Sequence, residues 1–230
     1  MERRLSTGCP PLDGILGGGF KFGEVSLIYG EASTGKTVLA LSCCLGYLSR
    51  DMRGKAFYID SDHGLSTPRL LQMAGGDSGI LTRFIVMRPE SFREQTETVE
   101  RLFTILPKRP TLVVVDSITG LYRLRAGEPE ETFQASKELN RQLGFLSETA
   151  RETGAAVLLT GQVHGIPGAG GPRVELVAER LLRYWSDRIV RLENTESPGV
   201  RKAVLEKPLE PGRACRFLIG RAGLVGVEQP

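Results

Sequence analysis

Residues 27–42, "LIYGEASTGKTVLALS", set Gly30 and Gly35 ahead of a Lys–Thr pair, between an apolar run and a helix-like one. A loop of this kind meets one physical need. Backbone N–H groups of Gly30, Glu31, Ala32, Ser33, Thr34 and Gly35 can wrap the phosphates of a nucleoside triphosphate. Lys36 can reach the β and γ oxygens and Thr37 can hold Mg²⁺. The pattern G-x-x-x-x-G-K-T is matched in full. It predicts a strand before the loop and a helix after it, from about Lys36 to Arg50.

Outward from this loop, strand-like and helix-like segments alternate, which predicts a mostly parallel twisted sheet with helices on both faces. "KAFYID", "RFIVMR", "TLVVVD" and "AAVLLTGQ" read as further strands, with "GLSTPRLLQMAG" as a short helix. Ser91 and Glu94 form an S-x-x-E capping box for a helix that Pro107 stops at about Leu106. A long amphipathic helix is expected from about Glu131 to Thr153. "DRIVRLE", "RKAVLEK" and "CRFLIG" read as a closing set of mostly antiparallel strands.

At 230 residues the chain suits one sizeable α/β core, so 1–230 is expected to be a single domain. A net charge of +3 permits an anionic partner without demanding one. Arginine outnumbers lysine, 23 to 7, which suits phosphate contacts but decides nothing alone. Cys9, Cys43, Cys44 and Cys215 lack C-x-x-C spacing, so buried thiols in a reducing compartment are expected rather than zinc or disulfides. The N-terminus lacks an apolar signal segment, and no run approaches a membrane span, so a cytoplasmic location is expected.

Chemistry on a bound triphosphate needs acids as well as a loop. "TLVVVDSITG" delivers Asp116 to the C-terminal edge of the sheet, where a carboxylate can serve Mg²⁺. "FYIDSDHG" brings Asp60 and Asp62 to a neighbouring strand end, where either can orient an attacking water. Gln162, closing "VLLTGQ", is a neutral amide placed to sense a γ-phosphate.

"LSTGCPPLDGILGGGFKFGEVSLIYGEASTGKT", "YIDSDHGLSTPRL", "LVVVDSITGLYRLR", "LLTGQV" and "YWSDRIVRLE" follow one another in the order seen in RecA-family recombinases. The chain resembles that family over almost its whole length, and within it the archaeal RadB group. On this resemblance it is expected to begin almost directly at the RecA-like P-loop core, without the helix-hairpin-helix domain of the main archaeal recombinase RadA. The resemblance implies an ATP- and Mg²⁺-binding, weakly hydrolysing accessory of homologous recombination. Single-stranded DNA and RadA are its implied partners, and a homo-oligomer is an open possibility. Position by position, it implies ATP and Mg²⁺ at Lys36 and Thr37, Asp116 as the Walker B acid, Asp62 as the catalytic carboxylate and Arg69 stacked on adenine. Gln162 would couple the nucleotide to a second DNA loop of roughly 163–174. A first DNA loop would run from about Arg123 to Phe133. Arg123, Arg125, His164 and Arg173 would contact DNA, and Lys207 would reach a neighbouring subunit's nucleotide.

Three departures from the family pattern stand out. Asp62 replaces a glutamate, Gly161 replaces an asparagine, and the glycine pair of the second loop lies far from Trp185. The alternative from another class is a KaiC-type nucleotide-gated protein-interaction ATPase without DNA binding. That group commonly carries a Glu-Glu pair where this chain has Ser61-Asp62.

Overall fold

The computed structural model describes residues 3–107, 109, 111–165, 174–208 and 213–227. A small N-terminal hairpin, β1 (Arg4–Leu5) with β2 (Phe20–Lys21), brackets helix α1 (Pro10–Ile15). The alternating core follows as β3 (Val25–Gly30), α2 (Lys36–Arg50), β4 (Ala56–Asp60), α3 (Thr67–Met73), α4 (Ser78–Leu81), β5 (Phe84–Met87), α5 (Phe92–Ile105) and β6 (Leu112–Asp116). It continues through α6 (Gly120–Arg125), α7 (Pro129–Thr153), β7 (Ala156–Gly161), a small hairpin of β8 (Val163–Gly165) and β9 (Val174–Leu176), and α8 (Glu179–Trp185). The chain closes with β10 (Arg188–Asn194), β11 (Val200–Lys207), β12 (Ala214–Gly220) and β13 (Gly223–Val227).

One nine-stranded sheet runs in the order β13-β12-β11-β10-β3-β7-β6-β4-β5. From β10 to β5 every neighbouring pair is parallel, and from β10 to β13 every pair is antiparallel. β10 therefore belongs to both halves, whereas the sequence suggests only an antiparallel edge. β13, "GLVGV", escapes a propensity reading because glycine is depleted in strands.

The central strands are apolar at nearly every position because both faces are covered, as parallel sheets require. Side chains alternate between the faces. Tyr58, Leu112, Val114 and Leu158 join one core with α1, α2 and α3. Phe57, Ile59, Val113 and Val115 join the other with α5, α6 and α7. All four cysteines are free and buried, as expected.

The helix signals hold with two adjustments. Ser91 Oγ accepts from Glu94 N at 3.1 Å, while the Glu94 carboxylate accepts from Glu90 N at 2.9 Å rather than from Ser91. The long helix starts at Pro129, earlier than expected, because Pro suits the first helical turn and the Glu131 carboxylate accepts from Glu128 N at 3.3 Å. The proposed first DNA loop needs correction. Arg123 and Arg125 lie in the last turn of α6 and Phe133 on α7, so only residues 126–128 connect. Leu121 and Tyr122 bury against the second core and pull "GLYRLR" into a helix too short to show a period.

Phe217 of β12 is fully buried and lies beside the phosphate loop, close to where a Cβ on Gly35 would sit. Phe217→Ala is expected to cost about 3–5 kcal/mol, measured as a lower urea midpoint with an unchanged m value.

Candidate active site

The sheet's C-terminal edge assembles the predicted loop and acids. Gly30 ends β3, Gly35 adopts a left-handed φ of 98°, and Lys36 opens α2. Glu31, Ala32 and Ser33 are exposed, whereas Thr34 is buried with its hydroxyl donated to Glu31 O at 2.9 Å. The Lys36 ammonium folds back on the loop and donates to Gly30 O at 2.8 Å and Glu31 O at 2.7 Å. Burial holds the Lys36 pKa below its usual value, against the opposing pull of Asp116, Asp62 and Glu31. A desolvated cation at a phosphate loop suits an anionic ligand, which would restore what burial removes.

Asp116 ends β6 with only 6% of its surface exposed. Its carboxylate accepts from Thr37 Oγ1 at 2.8 Å, from Tyr58 OH at 2.5 Å and from the Thr160 hydroxyl. The residues fit the groups that the sequence implies. Lys36 and the loop N–H groups suit a triphosphate, and an oxygen pair from Thr37 and Asp116 suits Mg²⁺, a hard cation that favours oxygen ligands.

Asp60 and Asp62 separate cleanly. Asp60 is buried, accepts from the N–H groups of Gly64 at 3.0 Å and Leu65 at 3.3 Å, and pairs with Arg88 at 3.1 Å. It builds the turn. Asp62 instead faces Gln162: Ser117 Oγ donates to Asp62 Oδ1 at 3.0 Å and Gln162 Nε2 to Asp62 Oδ2 at 2.8 Å. Desolvation raises the Asp62 pKa above its usual value, and those two hydrogen bonds oppose the rise. On the far side of the amide, Arg123 Nη1 donates to Gln162 Oε1 at 2.7 Å, and Gln162 N donates to Thr119 Oγ1 at 3.0 Å.

A profile of the Rad51 family matches residues 3–225. The chain belongs to the Rad51 family, in its RadB branch. The DNA repair and recombination protein RadB of Thermococcus onnurineus is 41% identical over 207 residues, 88% of each chain. That of Thermococcus kodakarensis is 38% identical over 97% of this chain and 100% of the relative, and that of Methanosphaera stadtmanae 32% over 219 residues. Among solved structures, a crystal structure of the RadB recombinase matches with a TM-score of 0.81 at 37% identity. It covers 97% of this chain and 100% of that one. The RecA-like fold read from the sequence is therefore that of this chain.

The remaining predicted residues of this Rad51-family chain scatter. Arg69 donates to Gly220 O at 2.6 Å and Arg221 O at 3.0 Å, so its guanidinium holds the β12–β13 turn. That turn follows Ile219, whose side chain packs where a Cβ on Gly35 would sit. Lys207 caps the C-terminus of α8 through Ser186 O at 2.6 Å and Arg183 O at 3.1 Å. Its ammonium is engaged within its own chain instead of reaching outward. Arg125 pairs with Glu131 at 3.5 Å, and His164 is exposed on β8. Of the proposed second loop, 163–165 form a strand paired with β9, and Arg173 lies outside the described residues.

Sequence reasoning missed four supports of this site: Tyr58, Thr160, Ser117 and Gly120. A tyrosine and a threonine inside otherwise apolar buried strands were the available signal for the first two, since buried hydroxyls need partners. Two glycines sit at close approaches of side chains. A Cβ on Gly120 would overlap Asp62 Oδ1, and one on Gly161 would stand 2.9 Å from Leu176 Cδ1 of β9. The departure at Gly161 thus makes room for the β8–β9 hairpin.

Lys36→Ala removes the desolvated cation and leaves the surrounding strand and helix intact. A fluorescent ATP analogue titrated into the folded variant should bind about tenfold or more weakly; equal affinity would refute the assignment.

Proposed function

We propose that this chain binds ATP with Mg²⁺ at the phosphate loop, binds single-stranded DNA beside it, and assists homologous recombination in the cytoplasm with slow ATP turnover. Residues 1–230 act in this reading as one RecA-like ATPase core. The observation that carries it is the unbroken hydrogen-bond path from Asp62 through Gln162 to Arg123, starting next to Lys36, Thr37 and Asp116. A nucleotide-side carboxylate and a surface arginine share one amide. That arrangement suits a protein whose ATP site answers to a polyanion. The recombination role draws on the RadB relatives, whose names describe DNA repair and recombination.

In this reading the N–H groups of residues 30–37 bind the phosphates and Lys36 offsets their charge. Thr37 and Asp116 would hold Mg²⁺, and the ion would supply neutralisation of charge on the phosphoryl group. Asp62 orients the water that attacks the γ-phosphorus and accepts its proton; the bond from that phosphorus to the bridging oxygen breaks, and ADP and inorganic phosphate leave. An aspartate carries its carboxylate about 1.5 Å less far than a glutamate, and misplacement by about 1 Å can cost on the order of 10²-fold. Slow turnover follows. RadA and further copies of this chain are the protein partners this role suggests.

Two experiments test the two halves. For turnover, Asp62→Asn should abolish single-turnover hydrolysis, and Asp62→Glu should raise kcat. Gly120→Ala should lower kcat about 10²-fold by displacing the carboxylate, with ATP affinity little changed in all three. Because the Asp62 pKa is raised, its base form appears only above the ordinary 3.8. The acid limb of kcat/KM should therefore sit higher than that value. Unchanged turnover in Asp62→Asn would remove Asp62 from the reaction.

For DNA, Arg123→Gln with Arg125→Gln should weaken binding to single strands of any sequence. The salt slope should flatten by about one unit for each phosphate no longer neutralised. Parental affinity in the double variant would exclude α6 as the DNA surface.

A further inference from the structure

The pole of the molecule opposite the phosphate loop carries its own concentration of positive charge. Helix α2 has 15 residues and so runs about 22 Å from Lys36 to its C-terminus. There Arg50, Arg53 and Lys55 are exposed, and none of the three has an ion-pair partner among the described residues. Topology brings further basic residues to the same edge. Lys55 and Arg83 immediately precede β4 and β5, and Arg109 precedes β6, three strands adjacent in the sheet. Arg3 comes from the N-terminal hairpin, and the charges of Arg3 and Arg109 both act on Asp51. Arg83 spends its hydrogen bonds on the end of α2, donating to Leu48 O at 2.8 Å and Asp51 O at 2.7 Å, yet leaves its charge there. Asp51, paired to Arg3 at 2.8 Å, is the acid beside these cations, while Glu24 and Asp187 lie further along the edge, ahead of β3 and β10. The positive charge is concentrated at the β6, β4 and β5 end of the edge.

We infer that this pole is a second nucleic-acid contact, which takes the phosphate backbone of a DNA duplex. Arginine-rich surfaces bind polyphosphate through charge and forked donors. Single strands are held by aromatic platforms as well as by charge, and here the rings are closed to bases. Tyr47 is buried, and the Arg3 guanidinium covers Phe22 at 4.8 Å from the ring centroid. Among residues 50–55 Met52 is the one large apolar side chain exposed, and a thioether is no stacking platform; the rest of what is exposed there is charge, which suits a duplex whose bases are already paired. The inference rests on the reading that nucleic acid is the partner, and it adds a site on the opposite face for a second DNA molecule.

The test compares binding of a short duplex and a short single strand, across salt concentrations, by the parent, by Arg50→Gln/Arg53→Gln/Lys55→Gln, and by Arg123→Gln/Arg125→Gln. The triple variant should lose duplex affinity about tenfold or more at moderate salt and flatten the duplex salt slope by about two to three units. It should keep single-strand and ATP-analogue binding, which also reports that it folds. In the parent, duplex should protect Arg50 and Arg53 from arginine-specific modification read by mass spectrometry, a result independent of any variant. Parental duplex affinity in the triple variant, or no protection, would overturn the inference and leave the single-strand reading standing. Tighter binding of a polyglutamate peptide than of duplex would reassign the pole to a protein partner. A parent that binds neither nucleic acid would overturn both readings.

Discussion

Asp116 places a carboxylate where almost no water reaches, and a charge in that position costs folding free energy unless donors surround it. The donors come from three other elements: Thr37 from the first turn of α2, Tyr58 from β4 and Thr160 from β7. Meeting the needs of one side chain therefore fixes where the phosphate loop's helix stands against the sheet. Hydrogen bonds to an ionised acceptor are about twice as strong as neutral ones. The contact is strong enough to set geometry, and every residue in the site takes its position relative to it.

From that anchor the site grows along the next few residues of the same segment. Ser117 donates to Asp62, Thr119 accepts the Gln162 N–H, and Gly120 leaves the volume that the Asp62 carboxylate occupies. "DSITG" is thus a short scaffold in which each position serves a different neighbour. The same economy explains why Gly161 stands beside Gln162. A larger side chain there would press on the Leu176 side chain of β9, the strand that pairs with His164 and its neighbours.

The two poles divide by strand polarity. In a parallel sheet all C-terminal strand ends lie on one edge, and there this chain places Asp60, Asp62, Asp116 and the glycine-rich loop. The N-terminal ends lie on the other edge, where Lys55, Arg83 and Arg109 sit ahead of β4, β5 and β6, neighbours in the sheet. A long helix separates the edges, so the charge on one does little to the other across more than a Debye length of about 8 Å.

The sequence by itself determined the G-x-x-x-x-G-K-T loop between its strand and helix, the alternation of strands and helices, and Asp116 at a strand end. Each of these is written in contiguous residues, where local spacing dictates chemistry. It also carried the family resemblance. Propensity failed at α6 and β13, where burial of Leu121 and Tyr122 and pairing with β12 overrode short or glycine-rich composition. Only the tertiary structure tied Asp60 into its own turn and turned Asp62 toward Gln162, gave Arg69 and Lys207 their carbonyl partners, joined Arg123 to Gln162, and collected arginines from distant segments on one pole. The physical reason is common to all of these: each depends on which residues from separate strands end at the same edge. Strand order, unlike strand identity, is a property of the packed sheet.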